Sequence, residues 1–172
     1  PVPPIRLMLV DDHEIVREGL RTLLEQEEDL EVVGEAEDGE SAVRMAAERH
    51  PDVVLMDVMM PGMGGIEATR RLLALPSPPR VLMLTSLADE AAIREAVASG
   101  AMGYLMKDVS RAELVRAVRD AARDRPTLHP EAQRILMKRP EKSPLDDLTP
   151  RERSVLDLVA EGRSNRQIAN RL

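Results

Sequence analysis

The side chains in this sequence that could carry out chemistry each follow a short apolar run. They comprise three carboxylates, two hydroxyl groups and one ammonium group, at Asp11, Asp12, Asp57, Thr85, Ser86 and Lys107. Carboxylates that are held together repel one another unless a cation lies between them, and a set of oxygen ligands favours Mg²⁺. The three histidines are far apart in the sequence, at positions 13, 50 and 129, so their spacing does not predict a transition-metal site. If the carboxylates lie together, the sequence predicts a magnesium site.

Five apolar runs must position these side chains, and each run is rich in Val, Leu, Ile or Met. They cover residues 5–10, 31–36, 52–56, 80–84 and 102–105, and we predict a strand for each. Apolar residues at helical spacing lie between the runs and after the last one, where Ser110 and Glu113 form a predicted capping box. Strict alternation of strand and helix indicates a parallel sheet with helices on both faces. The carboxyl ends of such strands meet at one edge, where the polar side chains would converge.

The predicted fold class is therefore α/β, with a doubly wound (βα)5 parallel sheet over residues 1–124. The chain of 172 residues contains one Tyr and no Phe, Trp or Cys, so its core must consist of aliphatic side chains and methionine. The absence of cysteine excludes disulfides, thiol catalysis and zinc sites made of thiolates, and is typical of a reducing cytoplasm. The chain has no apolar run near the roughly 18 residues of a membrane-spanning helix. We expect a cytoplasmic protein with no membrane association.

The residues after position 124 follow a different pattern. Residues 1–125 hold 24 acidic and 15 basic side chains, whereas residues 126–172 hold 7 acidic and 9 basic side chains. This change of sign indicates two units with different partners. The segment 125–147 contains four prolines, so we predict a linker with a short helix at about 131–138.

A second, helical unit is predicted over residues 148–172. Thr149 and Pro150 have the residue types of an N-cap and a first helical position. A second capping box, Ser164 to Gln167, predicts the start of another helix. Two short helices bury too little apolar surface to be stable alone, so we expect this helical unit to be incomplete.

The ordered motifs of the first domain resemble the receiver domain of response regulators. The matching stretches are LMLVDDHEIVREGL, VVLMDVMMPGMGG, VLMLTS and GAMGYLMKD. The second unit, LTPRERSVLDLVAEGRSNRQIANRL, resembles the opening of a LuxR-type helix-turn-helix domain. The chain is thus similar over nearly its whole length to a NarL/FixJ-type response regulator, a transcriptional regulator of two-component systems.

The resemblance implies a role for each side chain at the predicted edge. Asp57 would accept a phosphoryl group from the phosphohistidine of a sensor histidine kinase. Asp12 and Asp57 would bind Mg²⁺ together with the backbone carbonyl of Met59, and Asp11 would act through a metal-bound water. Lys107 would pair with a phosphoryl oxygen as a compact point charge.

The resemblance also implies a conformational switch, and the residues beside the site predict slow loss of the phosphoryl group. Thr85 would hydrogen-bond the phosphoryl group, and the ring of Tyr104, the only aromatic residue, would respond. Met59 and Leu87 flank the site and are apolar, so neither can orient an attacking water, which predicts slow self-hydrolysis of the phosphoaspartate. Beyond this self-phosphorylation and slow self-dephosphorylation we expect no enzymatic activity.

The implied output is regulation of transcription through DNA binding. Phosphorylation would either promote a homodimer or release the DNA-binding domain from the receiver, and the sequence leaves both open. In the LuxR-type family the recognition helix that enters the major groove would come after Leu172, so we name no base-reading residue. Arg163 and Arg166 lie near a predicted helix start and could contact DNA phosphates.

Other interpretations use the same carboxylates. A phosphatase of the haloacid-dehalogenase type requires an Asp or Thr two residues after its nucleophile, whereas Met59 stands two residues after Asp57. A nucleotide-binding flavodoxin-like module needs a Gly-rich or Ser/Thr-rich loop after the first strand, where Asp11 and Asp12 would repel phosphate. The remaining alternative is a receiver that is not phosphorylated and acts as a constitutive protein-interaction module.

Overall fold

Six parallel strands form a single sheet in the described part of the chain. The structure is a computed structural model that describes residues 3–86, 90–137 and 149. The strands are β1 (Ile5–Val10), β2 (Leu30–Ala36), β3 (Val53–Asp57), β4 (Arg80–Thr85), β5 (Gly103–Met106) and β6 (Thr127–Leu128). The helices are α1 (Glu14–Leu24), α2 (Gly39–Arg49), α3 (Gly65–Leu73), α4 (Glu90–Ala98), α5 (Arg111–Ala122) and α6 (Pro130–Met137). This arrangement confirms the predicted α/β fold with a parallel sheet.

The order of the strands determines where the chemistry of this fold can lie. The order is β2-β1-β3-β4-β5-β6, so the chain moves outward after β1 and then returns to the other side for β3. A crevice opens beyond the carboxyl ends of the strands at such a switch point. Val10 pairs with Met56, so the residues that come next, Asp11 and Asp57, lie at the same level of two neighbouring strands.

Two aliphatic clusters hold the helices against the faces of the sheet. Leu7 and Leu9 of β1 belong to a cluster with residues of α1 and α5, whereas Met8 and Val10 belong to a cluster with residues of α2, α3, α4 and α6. All four β1 side chains are buried. The alternation of a buried strand thus places one apolar side chain on each face in turn. Among the described residues, the core is aliphatic and rich in methionine, as the composition predicted.

The sheet extends one strand further than the five strands predicted from the sequence. Gly103 of β5 pairs with Thr127 of β6, and Tyr104 pairs with Leu128. A Cβ atom at position 103 would lie only 2.5 Å from the carbonyl oxygen of Thr127, so glycine permits this pairing. With two residues, β6 is too short to show an apolar periodicity, which is why the sequence pattern did not indicate it.

The helix α6 lies against the same face of the sheet as Tyr104. Ala132 and Ile135 are buried in the cluster that contains the Tyr104 ring. The Arg94 side chain of α4 donates a hydrogen bond of 2.7 Å to the backbone carbonyl of Ile135. The helix predicted at 131–138 is therefore present, and it packs on α4 and the core.

The first compact unit therefore ends later in the chain than the predicted domain boundary at residue 124. The chain divides into the units Pro1–Met137 and Lys138–Leu172. Residues 125–137, which the sequence assigned to a linker after a domain of residues 1–124, belong with the sheet. The rest of the predicted linker and the predicted unit at 148–172 lie outside the described residues, apart from Thr149.

The packing of α6 leads to a testable prediction about stability. We expect Ile135→Ala to lower the free energy of unfolding by about 2–4 kcal/mol, because it removes buried methyl and methylene groups and leaves a cavity. The neighbouring exposed residue Arg134 provides the control, and Arg134→Ala should change it by no more than about 0.5 kcal/mol. Urea unfolding of both variants measures the difference. Equal effects would contradict the packing of α6 against the core.

Candidate functional site

Two buried carboxylates lie at the carboxyl ends of the neighbouring central strands β1 and β3. Asp11 follows β1 directly, as predicted. Asp57 is the last residue of β3, whereas the sequence predicted a strand that ends at residue 56. Their exposed fractions are 1% and 4%, which is rare for ionisable side chains. The backbone N–H of Asp11 donates to the carbonyl of Ala36, so the neighbouring strand fixes its position. The strand register alone therefore brings these two acids together.

Lys107, which directly follows β5, completes this centre at the same edge of the sheet. Its backbone N–H donates to the carbonyl of Thr85 at 2.7 Å, which holds it beside the end of β4. The ammonium nitrogen lies 2.6 Å from Asp11 Oδ2 and 3.3 Å from Asp57 Oδ1. One lysine thus bridges both buried carboxylates and offsets part of their mutual repulsion.

The electrostatics of the centre are those of crowded, buried charges. Burial raises the pKa of Asp57; the Lys107 ammonium lowers it, the Asp11 carboxylate raises it, and the net direction is upward. Burial alone would lower the pKa of Lys107, but its hydrogen bond to Asp11 and the charge of Asp57 outweigh burial and raise it. Lys107 is therefore held as a cation, while the Asp57 carboxylate lacks full compensation for its charge.

The third carboxylate provides an observation that fits a bound cation. Asp12 Oδ1 is buried and receives no hydrogen bond from any of the described residues. Such an atom is unfavourable unless another positive partner lies beside it. One oxygen each from Asp11, Asp12 and Asp57 lies within 4.8 Å of the others, a spacing that suits ligands of a single divalent ion. The residues present therefore fit Mg²⁺.

The structure also places one histidine beside this cluster, whereas the expectation from the sequence considered only the spacing of the three histidines from one another. His13 Nδ1 lies 3.0 Å from Asp12 Oδ1 and 3.2 Å from Asp11 Oδ1. His13 is the N-cap of α1, and its backbone N–H donates to Asp11 Oδ1 at 2.9 Å. The signal in the sequence was its position directly after two aspartates. The comparison of distances between the three histidines overlooked it.

Met59 lies at the entrance to the centre. Its backbone N–H is 3.4 Å from Asp57 Oδ1, and the residue is 65% exposed. The other predicted flanking residue, Leu87, lies outside the described residues, as do Arg163 and Arg166. Met59 thus contacts Asp57 through its backbone, while its apolar side chain is largely exposed to solvent.

The two predicted switch residues occupy buried positions on adjacent strands. Thr85 is the last residue of β4 and is 2% exposed, whereas the following Ser86 is exposed. Tyr104 of β5 is 1% exposed and is the largest fully buried side chain of the described part. Met83 of β4 pairs with Tyr104, and Thr85 pairs with Met106, so both predicted switch residues belong to one strand pair.

The sequence predicted that the loop of residues 60–65 is flexible, but it did not predict a specific role for Gly65. A Cβ atom at this position would lie 2.0 Å from the carbonyl oxygen of Asp57, because the start of α3 rests on the backbone of that residue. A Cβ atom at Gly64 would lie 3.5 Å from the carbonyl oxygen of Val58, an ordinary contact. The Gly-Gly pair was visible in the sequence, but only the tertiary structure shows which of the two is required.

These two glycines form a matched pair for mutation. We expect Gly65→Ala to lower the free energy of unfolding by about 1–3 kcal/mol, because the backbone must shift to admit the methyl group. Gly64→Ala should cost less than about 1 kcal/mol, since its φ of −67° suits alanine and only a modest N-cap preference is lost. Urea unfolding of both variants tests the expectation. A larger effect at Gly64 would contradict this account of the contact.

Two known protein families match this chain, one in each of its two parts. The family described as the response regulator receiver domain matches residues 7–119. The chain belongs to the response regulator family. The family described as bacterial regulatory proteins, luxR family, matches residues 146–172. Both parts of the resemblance found in the sequence are thereby confirmed.

Known response regulators are similar along almost the entire chain. The transcriptional regulatory protein LiaR of Bacillus subtilis is 42% identical over 98% of this chain and 82% of its own length. The crystal structure of the response regulator ChrA, from a heme-sensing two-component system, is 42% identical with a TM-score of 0.68, and covers 99% of this chain and 82% of that one. A structure of RcsB dimers bound to DNA is 26% identical with a TM-score of 0.75, covering 98% and 82%. This response regulator thus combines a receiver with a LuxR-type DNA-binding segment, like the transcriptional regulators it resembles.

Every helix in the described part of this response regulator falls short of what is needed to cross a lipid bilayer.

Proposed function

We propose that a sensor histidine kinase phosphorylates this response regulator on Asp57 in a Mg²⁺-dependent reaction. The observation that carries the proposal is the buried Asp57 carboxylate, 3.3 Å from the Lys107 ammonium and beside two further acids. Such an arrangement provides a nucleophile, a cation for the incoming phosphoryl oxygens and room for a divalent ion.

Each side chain of the centre has a distinct part in the reaction. A carboxylate oxygen of Asp57 attacks the phosphorus of the phosphohistidine, the P–N bond breaks, and the histidine nitrogen leaves with the electron pair. Lys107 moves its charge from the two carboxylates toward a phosphoryl oxygen of the acyl phosphate. Asp12, Asp57 and the backbone carbonyl of Met59 would hold Mg²⁺, with Asp11 acting through water. When bound, this ion neutralises charge on the phosphoryl oxygens.

The proposed switch runs from Thr85 to the ring of Tyr104. The Thr85 hydroxyl would hydrogen-bond the new phosphoryl group and draw the end of β4 inward. Tyr104 touches the segment that leads out of the receiver: its carbonyl accepts a hydrogen bond of 2.9 Å from the backbone N–H of His129. A change at Tyr104 would thus reach β6 and α6, whose last residue is Met137.

The proposed output is a change in homodimerisation, in DNA binding, or in both. The match to the luxR family supports DNA as a partner, and the RcsB structure shows dimers of a relative on DNA. Contacts of Arg163 and Arg166 with DNA phosphates remain part of the proposal.

The environment of Asp57 leads us to expect a long-lived phosphoaspartate. The backbone of Met59 contacts Asp57, and its exposed apolar side chain cannot polarise a water molecule. We expect self-hydrolysis of the acyl phosphate to take minutes or longer in the presence of Mg²⁺, and Met59→Glu to accelerate it because a carboxylate can orient water. Following the decay of the phosphorylated protein by intact mass measures both rates. A wild-type half-life of seconds would contradict this expectation.

Beryllofluoride tests the proposal without a kinase. Since Tyr104 is the only aromatic residue, the intrinsic fluorescence reports on its ring alone. We expect beryllofluoride with Mg²⁺ to change this fluorescence and to raise the oligomeric mass, and neither reagent alone to do so. If neither property changes and no phosphodonor labels Asp57, the constitutive interaction module would be the better description.

A further inference from the structure

One side chain at the proposed metal site has no part in the function proposed above. His13 is 65% exposed, yet its ring nitrogen Nδ1 lies against the two aspartates that precede it in the chain. The ring makes no capping hydrogen bond to the α1 helix that it begins, so helix capping does not account for its position. Its backbone N–H donates to Asp11 Oδ1, and the ring nitrogen Nδ1 lies within hydrogen-bonding distance of the same oxygen, at 3.2 Å.

The distances around this nitrogen are those of neighbouring ligands on a single ion. Ligands at about 2.1 Å from an octahedral ion lie about 3.0 Å apart when adjacent and about 4.2 Å apart when opposite. His13 Nδ1 lies 3.0 Å from Asp12 Oδ1 and 3.2 Å from Asp11 Oδ1. One atom from each of His13, Asp11, Asp12 and Asp57 falls within 4.8 Å of all the others.

Asp12 adds an independent observation. Its Oδ1 atom, the one that lies 3.0 Å from His13 Nδ1, receives no hydrogen bond from the part of the chain that the structure describes. At this distance the two atoms form an ion pair when the ring is protonated; without that proton the carboxylate oxygen has no donor among the described residues. A cation between the ring and the carboxylate would serve both, since each offers a lone pair.

Imidazole changes which ions such a site prefers. Carboxylates and water suit Mg²⁺, whereas an imidazole nitrogen adds strongly to the binding of divalent first-row transition ions and little to that of Mg²⁺. We infer that His13 is an additional ligand that lets this site bind a divalent transition-metal ion more tightly than Mg²⁺, with the ring taking a position that water fills around Mg²⁺. The inference rests on the metal site of the proposed function and extends it to metal selectivity.

Electron paramagnetic resonance of Mn²⁺ bound to the full chain tests direct coordination. We expect the ¹⁴N modulation of a bound imidazole in the wild type, and its loss in His13→Gln. His50→Asn is the matched control, because His50 is an exposed histidine outside the cluster and asparagine tolerates its φ of 49°. Absence of the modulation in the wild type, or its survival in His13→Gln, would overturn the inference.

Ion affinities provide the second test. We expect His13→Gln to weaken Ni²⁺ binding by roughly 10- to 100-fold, as removal of groups around metal sites commonly does, and to leave Mg²⁺ binding unchanged. An equal loss for both ions would mean that the ring only positions the carboxylates, which overturns the inference. Failure of Asp12→Asn to weaken Mg²⁺ binding would overturn the proposed function itself, and the selectivity of His13 with it.

Discussion

Asp57→Asn should abolish phosphoryl labelling of this response regulator, with a loss of at least about 100-fold in the rate of transfer from a phosphohistidine donor. An amide nitrogen is not a nucleophile at neutral pH, and an amide oxygen carries no charge with which to attack phosphorus. The measurement is incorporation of radiolabelled phosphate from a phosphorylated kinase or a phosphoramidate in the presence of Mg²⁺. Asp108→Asn serves as the matched control, because Asp108 is an exposed carboxylate next to Lys107. Equal labelling of Asp57→Asn and the wild type would contradict the proposed role of Asp57 as phosphoacceptor.

The same variant should be more stable than the wild type when no metal is bound. The pKa of Asp57 is raised in the folded state, chiefly by burial, so ionisation of this carboxyl costs folding free energy. The wild type therefore loses stability as the pH rises from the ordinary aspartate value through the raised pKa, whereas Asp57→Asn has no such loss. Thermal unfolding in EDTA at a series of pH values tests this, and a destabilised Asp57→Asn at neutral pH would contradict it.

Lys107→Met is expected to have the second largest effect, on both stability and phosphorylation. Its removal leaves Asp11 and Asp57 without the ammonium that lies 2.6 Å and 3.3 Å from them. Breaking a fully buried ion pair costs roughly 3–5 kcal/mol, and since Lys107 keeps some exposure we expect about 2 kcal/mol in metal-free buffer at neutral pH. Urea unfolding measures this loss.

The pH and metal dependence of this variant distinguish an electrostatic cause from a packing defect. Without Lys107 the pKa of Asp57 rises further, so lowering the pH protonates the carboxyl and the deficit shrinks. Mg²⁺ should also restore stability, because it supplies the missing positive charge between the carboxylates. Lys107→Arg is the companion variant: it keeps the charge but not the compact ammonium, so it should retain more stability than Lys107→Met. A deficit that is the same at every pH and with Mg²⁺ would indicate lost packing instead.

The approach of Asp11 to Asp57 could be predicted from the sequence because strand periodicity is local. Each apolar run identifies its own strand, and parallel strands end at a common edge, so a polar residue just after a run is placed without knowledge of its partners. The same reasoning placed Lys107 and Thr85. It could not predict which carboxylate lies closer to the Lys107 ammonium, which is Asp11 rather than Asp57. That difference depends on how β5 is positioned against β1 and β3 through the whole sheet.

The features that escaped prediction are those in which distant or very short segments meet. The two-residue strand β6 has no periodicity, and only its pairing with Gly103 and Tyr104 defines it. The requirement at Gly65 arises from the carbonyl oxygen of Asp57, eight positions away in the chain.

By itself, the sequence determined the α/β class, the strands that carry the acids and the lysine, and the resemblance to receiver and LuxR-type families. Each of these depends on residue types and on spacing within one segment. Only the tertiary structure decided that residues up to Met137 belong with the sheet, that Lys107 bridges two buried carboxylates, and that His13 lies beside the acidic cluster. These features depend on distances between atoms of separate elements or on the direction a side chain takes, and close packing sets both.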